Sequence, residues 1–202
     1  MKQTIGVVNI GSCCNIFNIL KALNFITASF LVVETPEDLK KVDKIILPGV
    51  GNFNNAILDL KERELLEPLA VEVKNKHTLG ICLGMQILAD FGYEDGKSKG
   101  LGVIPGEVKK MNCNQELPHL GWRNLNFIGQ ANPLFEGIGP NHEFYFMHTY
   151  EFRNDNAAIA TSTYGGQKFI SAIAQDNIYG LQFHPEKSRS QGIRLLVNFY
   201  NL

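Results

Sequence analysis

Residues 78–86 read Thr78-Leu-Gly-Ile-Cys-Leu-Gly-Met-Gln86, an apolar run that breaks on a glycine-flanked cysteine and resumes with helical character. A short buried run followed at once by helix is the strand-to-helix half of a β-α unit. At its centre, Gly80-Ile-Cys-Leu-Gly84 has the form of a nucleophile elbow, in which glycines let a tight turn lift one side chain above a sheet. The turn sets the thiol at a helix N-terminus, where partial positive charge favours the thiolate. The Leu83 N–H would then face an oxygen that becomes negative when a carbonyl is attacked. By itself the pentapeptide is equally a buried cysteine between two packing glycines.

Working outward, apolar strands are expected at residues 4–10, 28–33, 44–47 and 78–82. Between them, Ile16, Phe17, Ile19, Leu20 and Leu23 form a helical stripe, and Thr35-Pro-Glu-Asp38 is a helix start. Residues 55–76 read as helical with a break near Pro68, and another helix is expected from about 84 to 91. The second half is richer in strand, at 106–111, 122–127, 143–151, 157–162, 169–174 and 178–183, and a helix at 192–200 closes the chain. This order argues for one α/β domain over residues 1–202, with a mostly parallel central sheet flanked by helices and additional antiparallel strands.

The 202 residues are 45% hydrophobic and 19% charged, with a formal charge of -1. That length buries a sizeable core. The charge balance gives no reason to expect nucleic acid or an anionic membrane as partner. No apolar run is long enough to span a bilayer, and the N-terminus lacks the pattern of a signal peptide, so a cytoplasmic protein is expected. Cys13, Cys14, Cys82 and Cys113 show no metal-ligand spacing, which suits free thiols and no metal.

Phe183-His-Pro-Glu-Lys-Ser188 follows the strand-like run at 178–183. A histidine at a strand end suits the role of base to a thiol if another group holds its ring, and Glu186 can reach back to it across Pro185. Pro48-Gly-Val-Gly51 also ends a strand. Open parallel sheets place ligands at that edge, and the backbone of Gly49, Val50 and Gly51 can approach an oxyanion. Gln86, one turn after Cys82, is either a substrate contact or an exposed helix residue.

Together, G-I-C-L-G-M-Q, F-H-P-E-K-S and the glycine turn resemble the class I glutamine amidotransferases over essentially the whole chain. Leu47-Pro-Gly-Val-Gly51, Pro118-His-Leu-Gly-Trp122 and Phe146-Met-His-Thr-Tyr150 resemble, within that class, the glutaminase subunits of imidazole glycerol phosphate synthases. The resemblance implies Cys82 as nucleophile, His184 as base and then acid, and Glu186 as its orienter. It also implies an oxyanion hole from the backbone at 49–51 and Leu83, and Gln86 holding glutamine. The substrate would be glutamine, with no cofactor. The partner would be a (β/α)8 cyclase subunit that uses the ammonia to make imidazole glycerol phosphate and an aminoimidazole carboxamide ribonucleotide.

Two stretches depart from the family pattern. Asn9-Ile-Gly-Ser-Cys-Cys-Asn15 retains Gly11 and Asn15 of a tyrosine-glycine-x-glycine-asparagine loop, and Arg123 stands where asparagine is common. Gly11, Asn15 and Lys187 are the residues expected nearest the partner, although Lys187 equally suits a solvated surface. A paralogous subunit serving another synthase, a cysteine peptidase and a non-catalytic regulatory subunit are the rival readings.

Overall fold

The computed structural model describes residues 3–10 and 16–202. The first half alternates β1 (Thr4–Val8), α1 (Phe17–Phe25), β2 (Ser29–Val33), α2 (Pro36–Leu39), β3 (Lys44–Leu47), α3 (Phe53–Glu62), α4 (Leu66–Asn75), β4 (His77–Ile81) and α5 (Leu83–Gln86). Short strands follow: β5 (Phe91–Gly92), β6 (Ser98–Lys99), β7 (Glu107–Lys110), β8 (His119–Asn124) and β9 (Asn126–Phe127). The chain ends with β10 (Glu143–His148), β11 (Tyr150–Arg153), β12 (Ala158–Tyr164), β13 (Gln167–Gln175), β14 (Ile178–Leu181) and α6 (Arg189–Asn201).

The main sheet has eight strands in the order β2-β1-β3-β4-β14-β13-β12-β9. Its first five are parallel and the remaining pairings antiparallel. Ile45 and Leu47 of β3 join a cluster with Phe53, Leu60, Leu69 and Val73 from α3 and α4. Ile46 points the other way, into a cluster with Ile19 and Leu23 of α1 and Leu195 and Phe199 of α6. Both faces are covered, so these strands read as continuous apolar runs instead of alternating ones. The exception is Lys44, which is buried on β3. Its Nζ donates to the carbonyls of Phe199 (3.2 Å) and Tyr200 (2.7 Å). A cation there satisfies carbonyls that the end of α6 leaves without helical partners.

The expected α/β class with a mostly parallel sheet and added antiparallel strands is the fold found. Several boundaries differ. The helical stretch at 55–76 breaks at residues 63–65, where Glu64 has φ 56°, and not at Pro68. Pro68 lies in the first turn of α4, where a missing N–H costs no intrahelical bond. The helix expected at 84–91 is the single turn α5. Beyond it, the carbonyls of Ile87, Leu88 and Ala89 accept N–H groups of residues 101–104, which takes the acceptors a longer helix would need. The strand expected at 143–151 divides at Thr149 between two sheets, β10 pairing with β8 and β11 with β7. Among the described residues no helix is long and apolar enough to cross a membrane.

Candidate active site

Three neighbouring parallel strands, β3, β4 and β14, end at the same edge of the sheet, with Leu47 opposite Gly80 and Ile81 opposite Leu181. The residues that follow them are Gly49, Cys82 and His184. Cys82 leaves β4 through φ 53°, ψ -107°, a backbone region that costs a residue with a Cβ on the order of 1–3 kcal/mol. Its N–H donates to the Leu181 carbonyl at 2.7 Å, so the strained turn is anchored to β14. The flanking glycines are required by space. A Cβ on Gly84 would lie 1.7 Å from the Leu47 oxygen, and one on Gly80 2.6 Å from the Gly84 oxygen.

His184 is buried and held on three sides. Its N–H donates to the Tyr145 carbonyl at 2.9 Å. Its own carbonyl accepts the Ser188 hydroxyl at 2.6 Å, and that hydroxyl oxygen accepts the Tyr145 N–H at 3.0 Å. His184 Nδ1 lies 2.8 Å from Glu186 Oε1. A carboxylate there accepts a hydrogen bond from Nδ1–H, which fixes the ring and leaves Nε2 as the nitrogen turned away from Glu186. Nε2 is buried and makes no hydrogen bond. Burial by itself would lower the pKa of this imidazole. The nearby Cys82 sulfur and the Glu186 carboxylate outweigh it and raise the value to about 10. The raised value describes the ring beside a Cys82 thiolate; as a thiol, Cys82 has the Met147 carbonyl at 3.7 Å as its acceptor.

Cys82, Leu83, Gln86, Val50 and Gly51 share a cavity of about 190 Å³, closed on the far side by Met147, His148, Thr149 and Tyr150. Gly49 and Val50 also form a small recess with His184 and Glu186. The residues expected to carry the chemistry and to hold the substrate therefore meet at one edge. Gly11 and Asn15 lie outside the described residues. Lys187 is half-buried, with its Nζ 5.8 Å from the centre of the Tyr145 ring. A larger depression of about 580 Å³ is lined by Phe127, Phe135 and Ile159 among others and holds neither cysteine nor histidine. The small cavity and the recess that shares Val50 with it are where cysteine, histidine and carboxylate converge.

Two features differ from the elbow as first read. The Leu83 N–H does not stand free toward the cavity but donates to the Gly49 carbonyl at 3.3 Å. Also, α5 is one turn long, so few aligned peptides contribute a dipole at Cys82. Gln86 is buried, not an exposed helix residue; its Nε2 donates to the Tyr150 carbonyl at 2.9 Å and to Gln182 Oε1 at 3.2 Å.

Glu94, in the turn between β5 and β6, was not legible as a site residue. Its Oε2 accepts the Phe53 N–H at 2.7 Å, and burial raises its pKa against that bond. Gln182, which directly precedes Phe183-His-Pro-Glu186, likewise carries no signature of its own in the sequence. The motifs at 118–122 and 146–150 prove to be partners, with His119 opposite His148 in the β8–β10 pair.

His119 Nδ1 and His148 Nε2 are 3.1 Å apart, and His148 Nδ1 is 2.9 Å from the Tyr150 carbonyl. Burial lowers the His119 pKa to about 4, helped by Arg123. Burial also lowers that of His148 to about 3, against the bond to Tyr150, with His119 and His184 adding to the shift. Both rings are neutral when folded, so Nδ1–H of His148 serves Tyr150, and His119 donates to His148. In the unfolded chain both regain a pKa near 6.5 and bind more protons, so stability is full above about 6.5 and falls as pH drops toward 4. For His119 alone the loss approaches about 3 kcal/mol, roughly 5–10 °C in Tm. Thermal melts from pH 7.5 to 4 are expected to show this decline. His119→Phe, which keeps the stacking with Tyr164 and Phe146, is expected to lessen the slope, with His148 keeping its own share. Equal slopes for variant and parent would contradict the assignment.

A class-I glutamine amidotransferase family model matches residues 10–201. The chain belongs to the class-I glutamine amidotransferases, and its activity is that of a glutaminase. At closer range it is similar to imidazole glycerol phosphate synthase subunit HisH 1 of Campylobacter jejuni (strain RM1221), with 41% identity over 93% of this chain and 95% of that one. It is likewise similar to imidazole glycerol phosphate synthase subunit HisH of Leptospira interrogans, with 41% identity over 98% and 100%. Among solved structures, PurLQS from Thermotoga maritima shares the fold at TM-score 0.78 and 18% identity, covering 100% of this chain and 99% of the matched one.

Proposed function

We propose that this chain is the glutaminase subunit of an imidazole glycerol phosphate synthase, acting in the cytoplasm with a (β/α)8 cyclase as partner. The observation that carries the reading is the meeting of the Cys82 elbow with a Glu186-oriented His184 at one sheet edge, in a chain whose curated relatives bear that subunit's name.

In the reaction, His184 Nε2 holds the proton taken from Cys82, and the thiolate Sγ bonds to the side-chain carbonyl carbon of glutamine. The carbonyl electron pair moves onto oxygen, where backbone N–H groups from Leu83 and the 49–51 turn receive it. Collapse of this intermediate breaks the C–N bond, and His184 returns the proton to the leaving ammonia. Water then adds to the glutamyl thioester, His184 taking its proton, and breaking the C–S bond yields glutamate and restores the thiol. Glu186 keeps the imidazole in the productive tautomer and offsets its charge. Glu94 is the carboxylate on the cavity wall and suits the substrate ammonium. The small cavity fits a free amino acid better than a peptide chain, which favours a glutaminase over a peptidase.

The partner surface in this reading is the outward face of β8 and β10 beside the cavity. Leu120 is 55% exposed there, the Arg189 guanidinium lies 4.3 Å from the Trp122 ring centre, and Lys187 stands over Tyr145. The test supplies a cyclase and its ribulosyl ribonucleotide substrate with glutamine but no ammonium salt. Adding this chain is expected to start imidazole glycerol phosphate formation, with one glutamate released per product. Glutamine consumption without product, under conditions where ammonium salt does sustain the cyclase, would reassign the chain to another synthase.

A further inference from the structure

Gln182 is fully buried between Cys82 and Gln86, and the direction of its amide can be worked out from the backbone. The Tyr150 carbonyl can only accept, so the Gln86 atom 2.9 Å from it is the amide nitrogen. That nitrogen's second hydrogen points to Gln182 at 3.2 Å, so the Gln182 atom there is the oxygen. The other end of the amide, Nε2, therefore faces Cys82 Sγ, at 3.7 Å. Turning over either amide would set two donors or two acceptors against each other. The anchoring carbonyl is itself fixed, since it also accepts from His148, which is held by His119.

The sulfur thus has two neighbours of opposite character. As a thiol it donates to the Met147 carbonyl and accepts from Gln182. Once its proton has gone to His184, the Met147 carbonyl has nothing to accept, whereas the Gln182 N–H now donates to an anion and its bond strengthens. One turn of helix supplies little of the stabilisation an elbow thiolate needs, and the Gln182 amide is a neutral side-chain donor that reaches the sulfur beside the His184 ring.

We propose that Gln182 is a catalytic residue, whose amide N–H stabilises negative charge on Cys82 sulfur before attack and again when sulfur leaves the thioester. This rests on the reading of Cys82 as nucleophile. In the first step the proton passes from Sγ to His184 Nε2 and the electron pair stays on sulfur, against the Gln182 N–H. In the last step the C–S pair returns to sulfur against the same donor.

The test is the pH dependence of Cys82 alkylation by iodoacetamide in the full chain, followed by mass of the Cys82 peptide. The titratable groups around the sulfur are His184 and Glu186 beyond β14, His148 and His119 on β10 and β8, and Glu94 from the β5–β6 turn. These are the same in every variant compared. Gln182→Met is expected to move the midpoint upward by about one to two pH units, the range for losing a hydrogen bond to a charged group. In the partner complex at neutral pH, kcat for glutamine is expected to fall by roughly tenfold or more, with KM changed by less than about twofold. Gln86→Met, which frees the Gln182 amide to rotate, is expected to give a smaller upward shift. It serves as the measurement if Gln182→Met does not fold. An unchanged midpoint in a folded variant, even with lowered kcat, would overturn the proposal and leave Gln182 a packing residue. Failure of the nucleophile reading looks different, because glutaminase activity would then survive Cys82→Ala.

Discussion

Cys82→Ala is expected to abolish glutamine hydrolysis, lowering kcat by roughly 10⁴-fold or more, the scale on which losing a nucleophile acts. The fold is expected to survive, because the strained turn is held by its N–H bond to Leu181 and by the close approach of Gly84 to Leu47, neither of which involves the thiol. Cys82→Gly is equally inactive in this account, yet as stable as the parent or more so, since a glycine adopts φ 53° without a Cβ penalty. A glutamine-derived electrophile should label Cys82 alone, by peptide mass. Labelling at Cys13, Cys14 or Cys113, or an active alanine variant, would sink the assignment.

The second large effect is expected from the partner. A glutaminase that runs without its synthase wastes glutamine, and the backbone beside Cys82 has the form of a brake. The Leu83 N–H, which would receive the oxyanion, is occupied by the Gly49 carbonyl at 3.3 Å. Turning the peptide between Gly49 and Val50 would free Leu83 and offer a second N–H to the same oxygen. Gly49 takes up the ψ change on its side of that peptide without a Cβ clash, and Gly51, one residue beyond Val50, already has φ 117°. Movement would be confined to 49–51, because the next residues are tied to the β5–β6 turn. Asn52 donates to Asp95 at 2.8 Å and the Phe53 N–H to Glu94 at 2.7 Å. The isolated chain is therefore expected to hydrolyse glutamine at least about a hundredfold more slowly than the complex with a ligand-bearing cyclase, the effect of missing oxyanion donors. Steady-state glutamate release, measured for each, decides it. Equal rates would dismiss the brake and leave the Cys82 reaction as it stands.

How much of this was legible in the chain depends on the range of the interactions involved. The alternation of apolar strands and helices was readable because burial of both sheet faces is written locally, in runs such as Ile45-Ile-Leu47. The elbow was readable because Gly80 and Gly84 are demanded by contacts within one turn and its neighbouring strand. Glu186 was readable from His184 because only Pro185 separates them. Local rules failed where an acceptor or partner came from a distant segment. Residues 101–104 took the carbonyls that would have lengthened α5, and Thr149 became the divide between two sheets because residues on either side pair with β8 and β7. Glu94 joined the site from a hairpin turn with no chemical signature of its own. The direction of the Gln182 amide followed from the Tyr150 carbonyl through Gln86, and the state of the Leu83 N–H from how the peptide at Gly49 was turned. Residue types near Cys82 were thus set by the sequence, whereas which hydrogen points at its sulfur and which carbonyl blocks its oxyanion site were set by tertiary packing, because a donor's direction depends on every partner it meets.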